Sequence, residues 1–124
     1  MNRVYLASPY THPSAEVMCE RFEQVCRTAG ILMTQGDIVF SPVAHSHVIA
    51  EMGKLRTDWD FWEVQDMSYL AEWATRLYVL ALDGWEESVG VTAEIEMALS
   101  KNVDIPVRVV DSMGNPMRWI EREA

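Results

Sequence analysis

The sequence predicts an α/β fold: a mostly parallel sheet of four or five strands held between two layers of helices. Short apolar runs ending in Ser-Pro or Asp-Gly alternate with longer stretches whose apolar residues recur three and four positions apart. One run, Leu77 to Leu82, is apolar almost throughout, as a strand covered on both faces is. No repeat, low-complexity tract or linker interrupts the 124 residues, so 1–124 reads as one domain, long enough for a real core.

Val4 to Ala7 is the first strand, ended by Ser8-Pro9. Pro13 and Ser14 open a helix of about fifteen residues, with Val17, Met18, Phe22, Val25, Cys26 and Ala29 on its apolar face. Gly30 is expected to stop or loosen it. Gly36-Asp37 makes a turn, and Ile38-Val39-Phe40 is a second strand ended by Ser41-Pro42. Within the weakly patterned stretch from Val43 to Asp58, only Val48 to Met52 suggests a short helix. Trp59 to Trp73 reads as a helix, with Phe61, Trp62, Met67, Leu70 and Ala71 mostly at helical spacing. Leu77 to Leu82 is the third strand, Thr92 to Ser100 a helix, and Pro106 to Val110 a last strand. The tail from Asp111 is expected to form a short closing element.

The order β-α-β-α-β-α-β implies right-handed crossovers and a three-layer sandwich of the Rossmann-like or flavodoxin-like kind. Ligands of such open sheets bind beyond the carboxyl ends of the strands. Three segments fall there: Ser8-Pro9-Tyr10, Ser41 to His47, and Asp83 to Glu94.

A formal net charge of −9 argues against a nucleic acid polymer or an anionic membrane surface as partner, because both need Lys/Arg patches. A small phosphorylated ligand stays open, since backbone amides can hold it. No apolar run approaches the roughly 20 residues of a membrane span. The N-terminal residues lack the apolar core of a signal peptide, so a cytoplasmic location is expected. Cys19 and Cys26, about two turns apart on one helix, are expected to be reduced, buried and structural.

The turn from Ser88 to Glu94 has two readings. Ser88, Gly90 and Thr92 are small and polar, Gly90 allows close approach to the backbone, and free amides at a helix start favour an anion. Equally, Ser88 or Thr92 is a plain helix cap, with Glu94 or Glu96 adding favourable charge. The turn is neither a P-loop nor a dinucleotide fingerprint. His45-Ser46-His47 offers an H-x-H pair, but without a convincing further ligand set it is a weak zinc signal, and a histidine that contacts a ligand or orders a loop fits better. Trp59, Trp62, Trp73, Trp85 and Trp119 read by default as core or interface residues; Trp85, which follows Asp83-Gly84 at the binding edge, also has a second reading as a ring that stacks on a base. Asp58, Asp60, Glu63 and Asp66 read by default as a solvated helix face.

Taken together, V-Y-L-A-S-P-Y, D-I-V-F-S-P, an aspartate ahead of the third strand, and S-V-G-V-T-A-E-I-E-M-A resemble the nucleoside 2-deoxyribosyltransferase-like family. That family includes nucleoside 5′-monophosphate N-glycosidases, and the chain looks most similar to a branch of short phage and bacterial proteins. The resemblance spans Val4 to about Val110 and lies in the order and spacing of the motifs. It implies that Glu94, in Gly90-Val91-Thr92-Ala93-Glu94, attacks the anomeric carbon and displaces the base. It further implies that Tyr5 orients Glu94, that Asp66 takes part in the site, and that Ser88 contacts a phosphate. Ser8, Pro9, Tyr10, His45, Asp83, Trp85, Ser88 and Gly90 are the expected substrate-binding residues. The chain departs from the family pattern at Glu96, where many members have glycine. Its first loop, Ser8-Pro9-Tyr10-Thr11, lacks the arginine with which some members hold phosphate.

An oxocarbenium-like state at C1′ is stabilised by a nearby carboxylate, which can also trap it covalently, while a second group protonates the departing base. Asp66 and His45 are both candidates for that second group. The expected activity is cleavage of the N-glycosidic bond, or base transfer, on a nucleoside or nucleoside 5′-monophosphate, with no metal or organic cofactor. The resemblance also implies a homodimer or larger homo-oligomer, for which the aromatics of the Trp59–Trp73 helix suit an interface. A non-catalytic nucleotide-binding module on the same scaffold is the alternative.

Overall fold

The computed structural model describes residues 1–122, and its architecture follows from alternation along β1 (Arg3–Ala7). Successive strand side chains point to opposite faces. Val4 and Leu6 enter one core with Val25, Ala29 and Leu32 of helix α1 (Ala15–Thr34) and Val43 of α2 (Pro42–Gly53). Tyr5 and Ala7 enter the other with Leu70 of α3 (Trp59–Glu72) and Val91 and Ala98 of α4 (Val89–Leu99). Strand β3 (Arg76–Leu80) repeats the division: Leu77 and Val79 join Tyr5, whereas Tyr78 and Leu80 join Val4.

The sheet has five strands in the order β2-β1-β3-β4-β5, with β2 spanning Ile38–Phe40, β4 Val107–Val110 and β5 Pro116–Ile120. All neighbours are parallel except β5, which runs antiparallel to β4. The strand order reverses between β1 and β3, and in doubly wound sheets the crevice at such a reversal takes the ligand.

The structure corrects several boundaries. Helix α1 runs past Gly30 to Thr34, because Gly30 is exposed and no turn signal follows until Gly36, at φ 102°. Its start is as expected: the Val17 N–H donates to Ser14 Oγ at 3.3 Å. Cys19 and Cys26 are exposed rather than buried. The buried stripe is Val25, Thr28, Ala29 and Leu32, and Cys26 lies one residue, about 100° of helix, away from it. In α2, Ser41-Pro42 ends a strand and also begins a helix. Ser41 Oγ accepts from the Ala44 N–H at 3.0 Å, Pro42 fills the first turn, and Lys54 closes the helix in the left-handed region.

The segment after β3 is tighter than its apolar pattern suggests. The strand stops at Leu80, Gly84 turns at φ 87°, one 3-10 turn covers Trp85–Glu87, and α4 begins at Val89 rather than Thr92. Ser88 is its cap, accepting from the Val91 N–H at 3.2 Å. Ser88→Ala should cost about 1 kcal/mol, a fall in Tm of roughly 4 °C, measured by thermal unfolding without ligand. After β4, Asp111 Oδ1 accepts from the Met113 and Asn115 N–H groups at 2.9 Å each, and Gly114 at φ 78° turns the chain into β5. The closing element is therefore an edge strand.

Candidate active site

At the strand reversal, the end of β1 and the start of α4 meet over a cavity of about 590 Å³. Glu94 lies in the second turn of α4, and its side chain reaches Tyr5 of β1. It is only 3% exposed, and the Tyr5 hydroxyl donates a hydrogen bond to its Oε2. Tyr5 is fully buried, so its ring fixes where that hydroxyl points. Asp66, 7% exposed, comes from α3, which packs on α4. Among the described residues its side chain makes no hydrogen bond. It belongs to the acidic run read as solvated, yet it turns inward while Asp60 and Glu63 face water.

Burial dominates the electrostatics. It raises the Glu94 carboxyl from an ordinary 4.5 to about 8; the Tyr5 hydrogen bond opposes the rise and the Asp66 charge adds to it. Burial also raises Asp66 from 3.8 to about 7. Tyr5 is pushed well above 10, first by burial and then by the charges of Glu94 and Asp66, so it stays a donor. Between about pH 7 and 8 the two carboxyls together hold close to one proton. That proton rests mainly on Glu94, whose carboxyl is the higher of the two, while the Tyr5 hydroxyl donating to Oε2 favours the ionised form.

Ser8, Tyr10, Asp66, Ser88, Gly90 and Glu94 all line the cavity. Pro9 is buried beside it. Gly90 serves packing as much as access: a Cβ there would stand 3.1 Å from Trp59 Cε3, so its absence lets the indole settle on α4. Pro9 does not line the cavity, and three more expected contacts are not brought in. His45 is exposed, with its ring 5.5 Å from Phe40 and 6.4 Å from Tyr69, centroid to centroid. The Trp85 ring packs against the α3–α4 core with the Arg118 guanidinium 5.6 Å from its centre. The Asp83 carboxylate is exposed, and the structural role of that residue falls to its carbonyl.

Arg21, which sequence reasoning missed, reaches the cavity from the second turn of α1. Its Nη1 donates to the carbonyls of Tyr10 at 3.3 Å and Thr11 at 3.2 Å, and its Nη2 to that of Asp83 at 3.1 Å. One guanidinium thus joins the loops after β1 and β3. Trp59, Trp62 and Ser46 also line the cavity unforeseen. Only the register of α1, α2 and α3 against the sheet reveals these residues, and no local motif encodes it. Among the described residues no three His, Cys, Asp or Glu side chains are placed to hold a metal ion, and no helix is long and apolar enough to cross a membrane.

The profile of a family described as a domain of unknown function, DUF1937, matches residues 2–110. No curated protein matches the chain. Among solved structures, a 2-deoxyribosyltransferase from the psychrotolerant bacterium Bacillus psychrosaccharolyticus is similar, with a TM-score of 0.61 and 22% identity over 94% of this chain and 77% of that one. At that identity the likeness is one of fold, and it agrees with the Rossmann-like, mostly parallel α/β sandwich expected from the sequence.

Proposed function

The chain belongs to the DUF1937 family, and from its buried Tyr5–Glu94–Asp66 cluster we propose that it breaks the N-glycosidic bond of a nucleoside or nucleoside 5′-monophosphate. Water or a second base would accept the sugar, giving hydrolysis or base transfer. The cluster carries the reading because it sets a Glu94 carboxyl held by the Tyr5 donor in the same buried site as a second carboxyl, the two sharing about one proton near neutrality. The fold shared with a 2-deoxyribosyltransferase supports it.

In this scheme Glu94 Oε attacks C1′. The C1′–N bond breaks, and its electron pair leaves on the base nitrogen, which takes the Asp66 proton. The glycosyl ester is then opened at C1′ by water or a second base, which returns a proton to Asp66 and frees the Glu94 carboxylate. Tyr5 orients Glu94 throughout, while Ser88 and Gly90 shape the sugar or phosphate end. Arg21 is the single Lys or Arg among the lining residues, and three carbonyls already occupy it. Both phosphorylation states of the substrate therefore belong in the test.

The test is free-base release followed by chromatography. Ribo- and deoxyribonucleosides and their 5′-monophosphates are each incubated with and without a second base. Release supports the reading, and dependence on the second base identifies transfer. Tight binding without release from any substrate would instead establish the non-catalytic nucleotide-binding module. That module is favoured to the extent that Glu94, raised to about 8, is mostly protonated at pH 7 without ligand. Assembly into a homodimer or larger homo-oligomer is part of the proposal, since Phe61, Val64 and Tyr69 of α3 are exposed. Light scattering should give at least twice the 14.2 kDa chain mass.

A further inference from the structure

Among the described residues, two hydroxyls beside the cavity are buried without a partner. Ser8 Oγ and Ser46 Oγ belong to residues 6% and 9% exposed; neither makes a hydrogen bond, and both residues line the cavity. A buried hydroxyl left unpaired costs folding free energy, so such groups call for a partner the protein itself does not supply. The two come from different elements, the end of β1 and the middle of α2, so one local turn does not account for both.

A third hydroxyl has a fixed orientation. Tyr10 OH lies 2.6 Å from His47 Nδ1, and the His47 ring is stacked on Phe22 with centroids 4.1 Å apart. His47 Nε2 faces the Glu51 carboxylate at 3.6 Å, which favours a proton on that nitrogen and leaves Nδ1 as acceptor. Tyr10 then donates to His47, and its oxygen lone pairs are left to accept from a ligand.

The setting distinguishes a planar ring from a sugar. The α2 wall around Ser46 is otherwise apolar, made by Pro42, Val43 and Ala50. A flat ring with one polar edge satisfies Ser46 and lies against these side chains. Sugar hydroxyls, which project in several directions, would meet apolar surface. The geometry points to Ser8, Tyr10 and Ser46 as the subsite that reads the polar edge of a nucleobase carrying at least one N–H. This assignment rests on the nucleoside reading above.

Calorimetric titration with free adenine, hypoxanthine, cytosine and uracil tests it, with benzimidazole as a bicyclic ring lacking the polar six-membered edge. At least one base should bind tenfold or more tightly than benzimidazole. Ser46→Ala should weaken that base at least tenfold and leave benzimidazole unchanged. Its Tm should not fall, because the hydroxyl has no protein partner to lose. Bases that bind the parent and Ser46→Ala alike, benzimidazole binding as well as the bases, or a Tm loss of several degrees would each overturn the subsite and leave the nucleoside reading standing. Binding by neither the bases nor the nucleosides would overturn both.

Discussion

Glu94→Gln should lower base release by roughly 10³-fold or more, with the fold unchanged. The amide keeps the size of the side chain and can still accept from Tyr5, so the substitution removes the nucleophilic charge and little else. Ligand affinity should change far less than turnover, because the substitution acts on the reacting step. The parent's kcat/KM should be bell-shaped in pH. The proposed reaction needs Glu94 ionised and Asp66 protonated, a state that peaks where the pair holds one proton, between about pH 7 and 8. Release that survives in Glu94→Gln, or that is flat or falls from pH 4 to 6, would remove Glu94 from the reaction.

The second large effect concerns stability. Asp66→Asn should be more stable than the parent at high pH, and the gain should vanish near pH 4. Burial raises the Asp66 carboxyl from 3.8 to about 7, so the folded chain holds this proton more tightly than the unfolded chain does. As pH climbs from about 4 to about 7 the unfolded state loses its proton first, and folding pays for the buried charge. Above the folded value the whole penalty is present, up to about 4 kcal/mol for three units. Asparagine never carries that charge, and Asp66 makes no hydrogen bond among the described residues for it to forfeit. Thermal unfolding of both proteins at pH 4, 6 and 8.5 measures the difference. A gain equal at all three values, or a loss at pH 8.5, would mean that Asp66 is ionised in a compensated setting.

Both sites were partly visible before the structure, for reasons that differ by element. β2 and the range of α3 were legible because their patterns sit between clear stop signals. Helix α2 was not, because Val48, Ile49 and Met52 are apolar yet exposed and blur its periodicity. β5 was legible only as a closing element, since its side chains are mostly exposed and no apolar run marks it. Tyr5, Asp66 and Glu94 came from motif order and from resemblance. Composition pointed the other way for Asp66, which sits in a run of charges. The histidines show the limit most clearly. Neighbouring positions of H-x-H differ by about 200° around a helix, so choosing His47 over His45 required knowing that α2 begins at Pro42 and which face it buries.

The three bonds of Arg21 also bear on kinetics. A guanidinium shared by the Tyr10–Thr11 carbonyls and the Asp83 carbonyl makes the two rims of the cavity a single cooperative unit. Neither loop can swing away alone without breaking bonds that also hold the other. Ligand entry and release would then require one concerted opening, which the Arg21 guanidinium on α1 opposes through bonds to both loops.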